Sequence, residues 1–227
     1  VIGTNGCVIG GERFETLNTT PDSYELNSYF RKMADAGCDT IVMECSSQGF
    51  KMDRTAGLKF DYGVFLNISP DHIGPLEHKD FDEYMYCKSR LLTQCRVAIV
   101  NADDEHCEEI LSLAGEGYEK LIKTSVGNST ADLYACDLEF LRSSEFTGTA
   151  FKTGGIVELT ARLSIPGIFN VSNSLPVIAA AADAGIKNED IVRALQDVHV
   201  DGRMEVVYKS DIFTVIVDYA HNGVSME

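Results

Sequence analysis

Two short apolar runs, Thr40-Ile41-Val42-Met43-Glu44-Cys45 and Val64-Phe65-Leu66-Asn67-Ile68, each stop at a polar cluster, and this pairing constrains the fold most. The first stops at Ser46-Ser47-Gln48-Gly49, the second at Ser69-Pro70-Asp71-His72. A helical pattern from Phe81 then carries Lys88. Apolar runs of this length bounded by turn residues read as buried strands. Alternating with helical patterns, they predict an α/β fold with a mostly parallel sheet flanked by helices. In such sheets ligands bind outside the carboxyl ends of the strands. Glu44 and the Asp71-His72 pair fall on that edge, so the chemistry is expected there.

The rest of the chain extends the pattern. Val1 to Ile9 reads as a strand with a Gly10-Gly11 exit. Asn18-Thr19-Thr20-Pro21 reads as a helix start, with proline suited to the first turn. Leu26, Tyr29, Phe30 and Met33 follow at helical spacing, up to a stop at Gly37. This gives a strand–helix–strand unit with a right-handed crossover. A strand over Val97 to Val100, a helix from about Asp104 and a short strand Leu121 to Lys123 complete the alternation. From Asp132 to Ser164 the runs shorten around Gly148 and Gly154-Gly155, which predicts an antiparallel hairpin region. Helices are expected after Pro166-Gly167, containing Ile178 to Ala184, and over Asn188 to Leu195. Strands are expected over Met204 to Tyr208 and Phe213 to Val217, with a hinge at Asp201-Gly202-Arg203 and a domain boundary near Val200.

The formal charge of −16 argues against nucleic acid or an anionic membrane as a general partner. No apolar run reaches the ~20 residues that a membrane helix needs. Seven cysteines without a C-x-x-C pair favour reduced thiols in a cytoplasmic setting, and disfavour zinc. The opening inside a strand, and the close at Glu227 where a helix is about to start, are expected of a segment of a longer protein.

Gly3-Thr4-Asn5-Gly6 invites a phosphate-loop reading, but Cys7-Val8-Ile9 stands where a working loop has its lysine and hydroxyl. A strand and turn role is expected instead. Glu44, His72 and Lys88 are individually weak: a strand-end Glu is usually solvated, a lone His satisfied by a neighbour, a helix Lys on the surface. Together on one sheet edge they form a candidate Mg²⁺ site, although histidine is an untypical ligand for so hard a cation. Thr19, Thr20, Ser46, Ser47 and Arg54 add hydroxyls and a guanidinium suited to a carboxylate or phosphate, or else they cap helices. Asn101 and Asp103-Asp104 read as a turn and cap. Asn170 and Asn173, at i and i+3, share a helix face; they either cap that helix or face a nucleotide base.

Seven motifs in order resemble the Mur ligase family, the ATP-dependent amide ligases of the peptidoglycan stem peptide. They are Asn18-Thr19-Thr20-Pro21, Met43-Glu44-Cys45-Ser46-Ser47-Gln48-Gly49, Asn67-Ile68-Ser69-Pro70-Asp71-His72 with Lys88 after it, and Asn101-Ala102-Asp103-Asp104. Gly167-Ile168-Phe169-Asn170-Val171-Ser172-Asn173, Gly202-Arg203-Met204-Glu205-Val206 and Asp218-Tyr219-Ala220-His221-Asn222 complete the set. The resemblance implies a P-loop-type ATPase fold without its P-loop, with residues 1–200 as the central ATP- and Mg²⁺-binding domain. Residues 201–227 would be the start of a C-terminal α/β domain.

It also implies addition of the third amino acid, L-lysine or meso-diaminopimelate, to UDP-MurNAc-L-Ala-D-Glu through an acyl phosphate, by a monomer. Glu44 and His72 match Mg²⁺ ligands, and Lys88 matches a lysine that is carbamylated in the family. Both His72 and Lys88 are therefore implied in catalysis. Thr19, Thr20, Ser46 and Arg54 match contacts to the muramyl dipeptide. Asn170, Asn173, Arg203 and Asp218 match the ATP base and ribose side. Gln48 stands where many relatives have His, and Met52 where some have Gln, which puts a substrate hydrogen bond in doubt. With no phosphate-loop lysine, the segment alone is expected to be inactive. Two other readings stay open: a folylpolyglutamate synthase-like ligase, favoured by folate binding, and a non-catalytic nucleotide-fold binding module, favoured by an unmodified Lys88 without metal affinity.

Overall fold

The computed structural model describes residues 1–143, 146–198, 200, 202, 205–210 and 212–218. The chain divides into two compact units, Val1–Ala98 with His106–Lys120, and Ile99–Glu105 with Leu121–Glu227. A mixed six-stranded sheet has the order β4-β5-β6-β7-β8-β9, with strands over Phe60–Phe65, Cys95–Asn101, Lys120–Val126, Leu133–Arg142, Thr147–Gly155 and Leu159–Leu163. The α/β class expected from the alternation is the one observed. Among the described residues no helix is long and apolar enough to cross a membrane.

The first unit opens on a correction. Val1 to Ile9 is not one strand but a hairpin, β1 (Ile2–Gly3) and β2 (Gly6–Ile9), turning at Thr4 and Asn5 and continued by β3 (Glu12–Phe14). Gly6 takes φ 93°, a conformation open mainly to glycine, which is why the apolar run folds back there. Helix α1 (Ser23–Asp35) buries Leu26, Tyr29 and Met33 against Ile2, Cys7 and Ile9, with Phe14, Phe30, Met43 and Leu58 at the rim. It ends before Gly37, at φ 76°, as the sequence predicts.

Its start lies later than Thr19-Thr20-Pro21 suggests. Thr20 is fully buried and its hydroxyl is engaged with Glu44 and Ser46, so the helix begins only after Asp22.

A second correction concerns Thr40 to Cys45, where no strand forms. Its contact with β1 is one parallel bridge, Ile2 to Met43, made by Ile2 N–H to Val42 and Glu44 N–H to Ile2, both 2.9 Å. Ile41 and Val42 are exposed, so the apolar character of the run is not matched by burial. β4 likewise starts earlier than expected and stops at Phe65. Helix α2 (Ser47–Lys51) is capped by the Ser46 hydroxyl, which accepts from Gly49 N–H. Helix α3 (Phe81–Thr93) is capped by Asp80, whose carboxylate accepts from Glu83 N–H at 2.8 Å. It packs on α2 and on α4 (Cys107–Ala114).

In the second unit β6 and β7 run parallel, and β7, β8 and β9 are antiparallel. Gly148 lies inside β8, and the hairpin turns after Arg142. The helix expected near Asp104 starts at Cys107, because the Asp103 carboxylate is taken by Ser125 Oγ and by Val126 N–H. Helix α5 (Ile168–Asp183) packs on β7 and β8 through Val171, Leu175, Ile178 and Ala179, and α6 (Asn188–Gln196) packs on β9. β10 (Glu205–Lys209) and β11 (Thr214–Val217) form a separate antiparallel pair.

Candidate functional site

Five of the expected site residues share one hydrogen-bonded cluster in the first unit. The Ile2–Met43 bridge carries Glu44 beside the β1–β2 turn, where one carboxylate oxygen accepts from Thr4 Oγ1 at 2.7 Å and Thr4 N–H at 3.3 Å. Gly3 makes this approach possible: a Cβ there would lie 2.6 Å from Glu44 Oε1. Thr4 Oγ1 also meets Thr19 Oγ1 at 3.2 Å. The Thr20 hydroxyl donates to the Glu44 carbonyl at 3.0 Å and accepts from Ser46 N–H at 2.8 Å, so it is fully used although buried. Arg54 donates from Nη1 to the Thr20 carbonyl at 3.0 Å. Its Nε lies 3.0 Å from Asp22 Oδ1, but without the alignment of a hydrogen bond. Gly49 closes the cluster, since a Cβ there would sit 2.9 Å from the Thr20 side chain.

His72 and Lys88 belong to a second cluster of the same unit, around the ring of Tyr84. The His72 ring lies 5.6 Å from it and Lys88 Nζ 5.3 Å from its centre. His72 adopts φ 55°, uncommon for a residue with a Cβ, and its Nδ1 is 3.0 Å from Glu77 Oε1. The loop from His72 to His78 is closed at its base by His78 N–H donating to the His72 carbonyl at 3.0 Å. His78 itself is fully buried, with its ring 5.2 Å from Tyr84 and its Nε2 2.9 Å from Ser47 Oγ. Burial, then the ammonium of Lys51, holds the His78 imidazole below its ordinary pKa. Lys51 donates to Glu83 Oε2 at 2.7 Å and to the Glu77 carbonyl at 2.7 Å. That hydrogen bond, with one from Lys79 N–H, pulls the Glu83 carboxyl down to about 2. Burial raises the Tyr84 phenol to about 12.

Glu44 is thus tied to the β1–β2 turn, and His72 and Lys88 to Tyr84. Among the described residues no three histidine, cysteine or carboxylate side chains are grouped to hold a metal by themselves. Lys88 as an ammonium would repel a cation. This donor set fits Mg²⁺ only as a shared site, in which one or two carboxylates act with substrate phosphates and water.

In the second unit Asn170 Nδ2 donates to the Pro166 carbonyl at 2.8 Å, a cap-like contact at the start of α5, and Asn173 is exposed three residues on. Asp218 is exposed after β11, and Arg203 lies outside the described residues. The sequence reading missed Thr4, Asp22, Lys51, Glu77, His78, Glu83 and Tyr84. Their signal was slight: His78 lacks a motif partner nearby in sequence, and its partner Ser47 lies 31 residues away.

Comparison with known proteins adds three findings. The family model described as Mur ligase middle domain matches residues 1–181. The UDP-N-acetylmuramyl-tripeptide synthetase of Ligilactobacillus salivarius (strain UCC118) is 37% identical over 235 residues, covering 97% of this chain and 46% of the relative. The UDP-N-acetylmuramoyl-L-alanyl-D-glutamate--L-lysine ligase of Streptococcus mutans serotype c (strain ATCC 700610 / UA159) is 36% identical over 233 residues, covering 100% and 44%. The chain therefore spans a little under half the length of these curated relatives. A solved UDP-N-acetylmuramoyl-L-alanyl-D-glutamate--2,6-diaminopimelate ligase superposes with a TM-score of 0.80 at 27% identity, covering 99% of this chain and 45% of that one.

Proposed function

The chain belongs to the Mur ligase family, and from that premise we propose that it is the central part of an ATP-dependent ligase that adds the third amino acid to UDP-MurNAc-L-Ala-D-Glu. The observation that carries this reading is the end-to-end likeness to ligases named for that acceptor, with L-lysine in one and diaminopimelate in another. The cluster of Glu44, Thr19, Thr20, Ser46 and Arg54 supports it, because hydroxyls and a guanidinium held in place suit an acceptor rich in carboxylates. The protein is read as a cytoplasmic monomer without nucleic-acid or membrane partners.

The reaction joins a carboxylate to an amine in two steps. The γ-phosphoryl of ATP passes to the D-glutamate γ-carboxylate, and the acyl phosphate is attacked by the amine of the incoming amino acid with loss of phosphate. Phosphoryl transfer asks a protein mainly for positioning and charge stabilisation. Thr19, Ser46 and Arg54 hold the acceptor, and Thr20, buried with its hydroxyl bonded to Glu44 and Ser46, holds the stretch that faces it. Asn170, Asn173, Arg203 and Asp218 hold the adenine and ribose. Glu44, His72 and a carbamylated Lys88 would hold Mg²⁺, which when bound neutralises phosphate charge. Carbamylation turns the Lys88 cation into an anionic oxygen donor, the change such a neighbour requires.

Release of phosphate by the full-length protein, given ATP, UDP-MurNAc-L-Ala-D-Glu and either L-lysine or meso-diaminopimelate, tests the reading. Turnover with one amino acid and formation of the tripeptide product are expected. No turnover with either, by folded protein, overturns it. The 227-residue chain alone is expected to give negligible ligation.

A further inference from the structure

The buried Ser47–His78 contact is not explained by any role assigned so far. His78 is the base of the loop that carries His72: its backbone N–H bonds the His72 carbonyl, and its own carbonyl accepts from Gly74 N–H, both at 3.0 Å. Its ring lies against Tyr84, the ring that His72 and Lys88 also touch. Through Ser47 it reaches the stretch that carries Ser46 and Arg54.

Nδ1 of His78 is buried with no hydrogen-bond partner, 3.6 Å from Glu83 Oε2. A ring proton on Nδ1, toward the Glu83 carboxylate, leaves Nε2 to accept from the Ser47 hydroxyl. An unpartnered buried polar atom is costly. An apolar side chain would fill the same space without that cost. What the imidazole adds is the directed bond to Ser47.

We propose that Ser47 and His78 are a positioning pair whose buried hydrogen bond holds the His72 loop and the Lys88 helix in register with the acceptor-contacting stretch Ser46 to Arg54. The pair touches no reactant; it acts through His72, Lys88 and Ser46, and in this it rests on the ligase reading above. Misplacement of a reacting group by about 1 Å costs on the order of a hundredfold in rate. Loss of the bond therefore lowers kcat through His72 and Lys88. It moves KM for the acceptor little, because Thr19 and Arg54, which the pair does not touch, still hold it beside Ser46.

The test compares S47A, H78L and H78Q in the full-length protein, each first shown to be folded by its thermal transition. S47A and H78L are expected to lose kcat by about ten- to a hundredfold, with KM for UDP-MurNAc-L-Ala-D-Glu within about twofold of wild type. H78Q places a polar nitrogen or oxygen where Nε2 stands and is expected to regain most of the rate. Folded H78L with wild-type kcat overturns the pairing, as does H78Q no better than H78L. A second readout needs no turnover: in NMR spectra of the full-length protein, S47A should shift the imidazole resonances of His72, and unmoved His72 resonances overturn the proposal. Wild-type protein that fails to ligate while S47A still moves His72 would remove the ligase reading and leave the pair standing.

Discussion

Ser46 and Ser47 are neighbours in the chain, yet they serve polar clusters of different kinds. The Ser46 cluster is open: Glu44 and Thr4 are exposed, and Asp22 is 73% exposed beside a mostly covered Arg54. The Ser47 cluster is closed: His78 is fully buried, and Lys51 and Glu83 satisfy each other over it. An open cluster can exchange its internal hydrogen bonds for bonds to a ligand, since water already competes for them. A closed one cannot without exposing a buried ring. On the proposed function, the exposed groups of the first cluster are the ones able to meet the acceptor, and the buried Ser47–His78 contact is able only to place its neighbours. Substitutions should divide along the same line.

Gly3→Ala should divide them most sharply. The three atoms nearest its Cβ all belong to the flexible Glu44 side chain, Oε1 at 2.6 Å, Cδ at 2.8 Å and Cγ at 3.2 Å, so the carboxylate is expected to move rather than the backbone. Ligation by the full-length protein should fall on the order of a hundredfold. Stability in urea should stay within about 0.5 kcal/mol of wild type. Unchanged turnover would remove Glu44 from the open cluster's function.

Gly49→Ala should do the reverse and cost stability. Thr20 is β-branched, fully buried and held by two hydrogen bonds, so it cannot yield to a Cβ at 2.9 Å. A loss of about 1–3 kcal/mol is expected from denaturant titration. A gain, as alanine gives in an unobstructed helix, would show that Thr20 moves freely. Asp80→Ala removes the cap of α3, and should lower stability by about 1 kcal/mol in the same titration.

The smallest effect concerns acid. The Glu83 carboxyl is held at about 2 against an ordinary 4.5, so its stabilising contribution is complete above pH 4.5 and is lost as pH falls from there toward 2. Lys51→Met removes the largest cause of that depression. Its stability should therefore fall less steeply than wild type across this interval, when both are followed by circular dichroism. Parallel acid limbs would mean that Lys51 and Glu83 do not share their proton-linked energy.

Legibility in the sequence followed how local the cause was. Helix α3 was readable because Asp80, Asp82 and Glu83 mark its start and its buried positions recur at helical spacing. The α1 core positions Leu26, Tyr29 and Met33 were readable for the same reason. Thr40 to Cys45 misled, because an apolar run looks the same whether it lies inside a sheet or makes two backbone bonds to a two-residue strand. Thr19, Thr20, Ser46 and Arg54 were picked out by residue type, but their mutual bonding was not, since Thr20 joins positions 26 and 34 residues away.

What the sequence determined by itself was the α/β class, the family motifs and a list of polar candidates for a site that handles phosphates and carboxylates. The class and the candidates follow from periodicity, turn chemistry and side-chain type, and the motifs from likeness to a family, all of them read from residues adjacent in the chain. The tertiary structure alone decided that Glu44 leans on Thr4 across a glycine, that Tyr84 is shared by His72, His78 and Lys88, and that Ser47 faces inward while Ser46 does not. Such pairings depend on which distant segments the packing brings together, and a one-dimensional pattern carries no term for that.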